Sequence, residues 1–276
     1  MNGILELFNY TFFQHALLGS LFASIACGII GTYIVTRRLV FISGGITHAS
    51  FGGIGIGLYT GISPILSASI FAVLSAFGVK WLSRYKDMRE DSAIAVFWTF
   101  GMAIGIIFSF LSPGFTPDLS TYLFGNILTI STTDLIVLAV LSLVLILFFI
   151  TFIHTIIEIA FDSEYARSQQ LPVTLFEYLL MMFIALTIVS TLRMVGIVLV
   201  ISLLTLPQMT AHLFTHRFSH IILLSIGIGF ICCVGGLWIS YLLQVPSGAA
   251  IIFFSILAYA LCKMGKSLYL CTRKQR

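Results

Sequence analysis

The chain has 276 residues, 59% of them hydrophobic and only 9% charged, and its mean hydropathy is +1.10. Soluble domains carry roughly 25% charged residues, so this balance excludes a soluble enzyme or binding module and points to an integral membrane protein. Fourteen Lys and Arg against ten Asp and Glu give a net charge of +4, with no basic stripe on which a nucleic acid could lie. Five cysteines, Cys27, Cys232, Cys233, Cys262 and Cys271, show no CxxC spacing and read as packing residues rather than as metal ligands or disulfides.

The opening stretch MNGILELFNY carries Glu6 and no early Lys or Arg. It lacks the basic start of a cleavable signal peptide, so the first span is expected to be retained. A helix needs about 20 apolar residues to cross a bilayer, because only internal hydrogen bonds satisfy the backbone there. About nine such stretches follow in order, near 13–35, 41–60, 62–82, 92–111, 133–153, 173–191, 195–212, 221–243 and 248–264, with eight as the alternative count. The expected fold class is all-α: a polytopic transmembrane bundle in one domain, with a core over 12–264 and a basic cytoplasmic tail over 265–276.

Lys and Arg collect on alternate connections. Arg37 and Arg38 follow the first span; Lys80, Arg84, Lys86 and Arg89 the third; Arg167 the fifth; Arg217 the seventh; and Lys263, Lys266, Arg273, Lys274 and Arg276 close the chain. Thirteen of the fourteen therefore share one face, with Arg193 alone opposite. Cationic loops stay cytoplasmic, which predicts an outside N-terminus and an inside C-terminus.

The second span, FISGGITHASFGGIGIGLYTG, is rich in glycine, a poor composition for an isolated helix and one that permits close helix packing. Its His48 is the candidate metal-contacting residue. An ionisable group within a span marks a functional site by default, and imidazole is the commonest ligand for borderline transition metals. The competing reading is a histidine bonded to a neighbouring helix. Glu90 and Asp91 open span four, where they complement the helix dipole and Asp91 could cap it. Glu177 lies one turn inside span six, and pairing or snorkelling is the plainer reading.

Residues 112–132 are too polar for a full span but hold an apolar piece suited to a re-entrant or interfacial helix, bracketed by Asp118 and Asp134, which read as solvated. On the other face, 154–172 and 207–220 are the longest polar pieces besides the tail, and candidates for docking a partner. Pro207 should bend or end the seventh span, with a cytoplasmic helix beyond it. His212, His216 and His220 are spaced four apart, which is metal-ligand spacing on a helix, but no carboxylate or Cys completes the set and a basic headgroup-facing stripe is preferred. Ala260, Gly265, Lys266 and Ser267 match a permissive phosphate-loop pattern but trail a membrane helix instead of joining a strand to a helix, so nucleotide binding is rejected.

Six segments in this order carry a resemblance: RRLVFISGGITHASFGGIGIG, REDSAIAVFW, YLFGNILTIS, FDSEYA, VGIVLVISLLTLPQMTA and PSGAAIIF. Over residues 15–262 the chain resembles the permease subunits of bacterial zinc, manganese or iron(II) ABC importers, the ABC-3 family. The resemblance implies a type II importer fold in the bacterial cytoplasmic membrane and a homodimer embedded in lipid. It also implies two separate ATPase subunits on the cytoplasmic face and an extracytoplasmic metal-binding protein. No cofactor is expected on this chain beyond the transported ion, and no enzymatic activity of its own. By the same resemblance, Gln208 to His220 should form the coupling helix that enters the ATPase groove, with the Phe161 to Ala166 region beside it. Pro207, Gln208, Thr210, Ala211, His212, Phe161, Asp162 and Ala166 are its candidate coupling residues. Most members have an Asp four residues before the span-two histidine, where this chain has Gly44. Its loss weakens the case for manganese and tilts the expectation toward zinc or iron(II). A permease for a chelated metal and an ion-gradient-driven carrier stay open as alternatives.

Overall fold

The structure, a computed structural model, describes residues 11–85, 88–112 and 130–274, apart from the side chains of 85, 193, 194 and 269–274. Ten helices occupy these residues: α1 Thr11–Thr36, α2 Val40–Thr60, α3 Pro64–Tyr85, α4 Glu90–Leu111, α5 Thr132–Phe161, α6 Ser163–Ser168, α7 Val173–Leu203, α8 Leu206–His212, α9 Phe218–Leu243 and α10 Ser247–Lys274. Among the described residues nine segments are long and apolar enough to span a membrane, and no strand is present. The expectations for 112–132 fall largely on residues 113–129, outside the described residues, as does Asp118.

The helix ends follow local chemistry. Ser131 and Asp134 form a reciprocal capping box at the start of α5, so Asp134 serves as a helix cap where a solvated carboxylate was expected. α5 runs 30 residues to Phe161 but kinks at Phe152, whose φ of -114° and ψ of 21° leave helical geometry, so the predicted end at 153 falls at this kink. At 1.5 Å per residue the whole of α5 is about 45 Å long against a hydrocarbon core of about 30 Å. His154 and Glu158 lie exposed on one side of this extension while Ile156, Ile159 and Ala160 are buried. Asp162 then caps α6, accepting from the amides of Glu164 and Tyr165 at 3.0 and 2.9 Å.

α7 joins two predicted spans in one continuous run broken at Gly196, whose φ of 74° and ψ of 168° take the chain out of helical geometry. That positive φ favours glycine. The chain doubles back here. Glu177 pairs with Arg37, and Ile201 reaches within 3.7 Å of a Cβ position on Gly44. A straight helix would hold residues 177 and 201 about 36 Å apart.

α2 packs most extensively on α4, then on α3. The α2–α4 seam is backbone on backbone. A Cβ on Gly101 would lie 2.5 Å from Ala49 Cα, and one on Gly55 would lie 2.5 Å from the Gly105 carbonyl oxygen. Small residues at this spacing let helices approach closely in a membrane, where dispersion contacts take the place of hydrophobic drive. Cys27, Cys232 and Cys233 are buried and free, as packing residues should be.

Candidate functional site

Between Ile42 and Gly55 every residue of α2 is buried except Gly44 and His48. With Val40, which is exposed, they form a line at i, i+4 and i+8 along one face. His48 stacks on Trp98 of α4, ring centroids 4.6 Å apart and planes within 2°. Its Nδ1 is buried and has no hydrogen-bond partner. The alternative of a histidine bonded to a neighbouring helix is therefore not what the structure shows: the imidazole is held by a ring face, with its hydrogen-bonding capacity unspent. Gly44 differs from the other glycines of α2. A Cβ there would meet nothing closer than Ile201 Cδ1 at 3.7 Å, whereas one on Gly45 would collide with Ile94 and one on Gly57 would lie 2.8 Å from Pro64 Cα. Packing does not require a glycine at position 44.

The second polar centre gathers the charges of four helices. Glu177 Oε1 lies 3.2 Å from Arg37 Nη2 and 3.3 Å from Lys80 Nζ, and Lys80 Nζ also lies 3.1 Å from Glu90 Oε1. Arg37 Nη1 donates to the carbonyl of Ile159 at 3.2 Å. Glu177 is 4% exposed, and two cations and two carboxylates gather there, the pairing that a buried charged group requires. Pairing, rather than snorkelling, accounts for it. Glu90 and Asp91 sit in the first turn of α4 behind Arg89, and neither makes a side-chain cap bond. The suggested Asp91 cap is thus replaced by dipole complementation and an exposed contact of 3.7 Å to Arg89. Arg84 donates to Thr174 at 2.7 Å, and with Arg167 it lines a cavity against Leu171–Leu175. The structure so brings the cations that follow spans one, three and five to one end of the bundle.

The seventh span breaks one turn before its proline. The chain leaves helical geometry at Thr205, and Pro207 falls in the first turn of α8, where its missing N–H costs nothing. Gln208 is fully buried and donates to the carbonyls of Cys27 and Leu203 at 2.8 and 3.2 Å. Pro207, Thr210 and Ala211 are buried with it. These four lock α8 into the bundle and present no surface to another subunit. A single helix from Gln208 to His220 is not formed: α8 ends at His212, and 213–217 turn before α9. His212, His216 and His220 therefore do not share a helical face, although the first two rings approach to 6.3 Å. Lys266 donates to the carbonyl of Leu213 and ties α10 to this turn. At the end of α5, Phe161 and Tyr165 are exposed while Ala166 is sealed beneath α6. α6 rests on α5 and α7; α8 rests mainly on α9 and α10.

The family model described as the ABC 3 transport family matches residues 9–266. The chain belongs to this family. Among its relatives, a membrane protein of Synechocystis is 37% identical over 259 residues, covering 94% of this chain and 92% of that one. The manganese transport system membrane protein MntC of Halalkalibacterium halodurans is 34% identical over 256 residues, covering 93% and 88%. The solved structure of PsaBC from Streptococcus pneumoniae in complex with Fab superposes with a TM-score of 0.83 at 27% identity, covering 94% of this chain and 95% of that one. Membership makes this chain a membrane permease, in keeping with its nine candidate spans.

The sequence reading singled out His48 but not Trp98, which stacks on it, nor Tyr165 and Phe214, which lie exposed. Gly101 and Gly105, four apart on α4, were the available sign that its Trp98 face lies against α2. Phe214, 62% exposed in the turn after α8, was an apolar residue in a polar segment. Among the described residues no group of three His, Cys, Asp or Glu gathers.

Proposed function

We propose that this chain is the membrane-spanning permease of an ATP-driven importer that carries a divalent transition-metal ion, zinc, manganese or iron(II), by alternating access. Two copies would flank a path lined by the α2 line of Val40, Gly44 and His48, within the bacterial cytoplasmic membrane and with the C-terminus inside. An extracytoplasmic metal-binding protein would deliver the ion. Two ATPase subunits would grip the cytoplasmic turns through the exposed Phe161, Asp162, Tyr165 and Phe214 and the half-buried His212, and their closure would rock the permeases between outward and inward states. Pro207, Gln208, Thr210, Ala211 and Ala166 hold those turns in place from within.

The observation that carries the reading is the position of His48. It lies half-buried on the open line of an otherwise enclosed helix, with one ring nitrogen unpartnered. An ionisable side chain within a span that, unlike Glu177, has no charged or hydrogen-bonding partner supports a path rather than a fold contact. The manganese relatives support a hard divalent cargo, whereas an imidazole with Gly44 beside it, and no carboxylate, supports zinc or iron(II); we place the latter pair first.

Reconstitution with its ATPase tests the proposal. Uptake of radiolabelled zinc, iron and manganese should require ATP, rank manganese last, and fall at least about tenfold in His48→Ala. Uptake driven by an ion gradient alone, or unaffected by His48→Ala, would overturn it.

A further inference from the structure

We infer that Trp98 is the positioning residue that aims His48 at its cargo, an inference that rests on the importer reading above. A metal-ligating imidazole is ordinarily held in orientation by a hydrogen bond from its second nitrogen to a carboxylate, carbonyl or water. His48 has no such bond at Nδ1, which is sealed and unpartnered. Its own helix offers no substitute, since the residues one turn before and after it are Gly44 and Gly52. The indole of Trp98 lies flat against the ring at 4.6 Å and 2°. Stacking therefore sets the plane of the imidazole, and Nε2 is the nitrogen left for a ligand.

The pair is fixed by the backbone beside it. Ala49 follows His48 directly, and Gly101 stands three residues beyond Trp98; a Cβ on Gly101 would lie 2.5 Å from Ala49 Cα and equally close to its carbonyl oxygen. The helices are as near as their backbones allow at the step adjoining the rings, so neither ring can slide without parting the seam. The indole also acts on charge. An imidazole that binds a cation becomes electron-poor, and the face of Trp is the best aromatic partner for positive charge. Trp98 thus orients His48 and favours its ion-bound state.

Trp98 can report on itself. The chain has three Trp, so in a background with Trp81→Phe and Trp238→Phe the difference from the same background carrying Trp98→Phe isolates its emission from that of the ATPase. In the reconstituted permease–ATPase complex, added zinc chloride should change that emission saturably, and His48→Ala should abolish the response. In uptake assays Trp98→Ala should raise the apparent KM for zinc roughly tenfold, the scale of losing a group that orients a metal ligand, with Trp98→Phe within about threefold of the parent. An emission that ignores zinc while His48 is needed for transport would overturn the inference and leave the importer reading intact. So would equal losses in Trp98→Ala and Trp98→Phe, or none in either. Normal uptake by His48→Ala overturns the site itself, and this inference with it. If Trp98→Ala does not assemble, the zinc response of the native Trp98 decides.

Discussion

The bundle contains two polar centres of opposite character. At one end, Arg37, Lys80, Glu90 and Glu177 satisfy one another across α1, α3, α4 and α7. On α2, His48 is left with an unpartnered nitrogen and a ring face for company. A charge kept for structure is neutralised by its neighbours, because an uncompensated ion in a low dielectric costs several kcal/mol. A group kept for transient binding must stay unspent, since any permanent partner would have to be displaced by each ion that passes. The two centres should therefore respond to mutation in opposite ways: one in stability with transport lost secondarily, the other in transport with little change in stability.

The largest effect is expected at Glu177. Glu177→Ala leaves Arg37 without its carboxylate and Lys80 with only Glu90, and removing one partner of a buried network costs about 3–5 kcal/mol. Membrane yield and the melting temperature of purified protein in detergent measure it. His48→Ala in the same assay should stay within about 1 kcal/mol of the parent, as it breaks no hydrogen bond. If the two variants melt alike, the division into a structural and a functional centre fails.

The number of candidate spans could be read from the chain because continuous apolarity over about 20 residues is a direct requirement of crossing a bilayer. What could not be read is where apolarity stops reporting on helicity. His154 and Glu158 end the apolar run and the helix kinks just before them at Phe152, yet they lie one turn apart on the exposed side of the amphipathic turns that follow. The break at Gly196 falls where the sixth and seventh apolar stretches divide, and that at Thr205 lies beside Pro207, but no hydropathy average registers a φ of 74°. At the site the imidazole was visible as an ionisable residue in a span. Its partner was not, because stacking between α2 and α4 depends on the register that brings together two residues fifty apart in the chain, and a residue list carries no register.

A middle effect sharpens the contrast along α2 itself. A Cβ at position 53 would fall 2.6 Å from Ala68 Cα and against the carbonyl of Ser67, both backbone atoms that cannot yield without moving α3. Gly53→Ala should cost about 1–3 kcal/mol through forced separation of the helices, read as a lower melting temperature. The polar centres remain intact in this variant, so its loss measures the seam alone.

The smallest effect on stability, and the most informative for cargo, is expected at Gly44. No atom comes within 3.7 Å of a Cβ there, and that one is the flexible end of Ile201, so Gly44→Ala should be neutral or stabilising by up to about 1 kcal/mol from helix propensity. Since neither packing nor φ demands glycine at this position, its missing side chain concerns the open line and not the fold. Gly44→Asp would set a carboxylate one helical turn from His48, on the same face. A hard oxygen donor beside the imidazole should raise manganese uptake relative to zinc without a drop in melting temperature. If the ratio of the two metals is unchanged while the protein melts normally, the ion does not pass within reach of residue 44, and the path must run along a different face of α2.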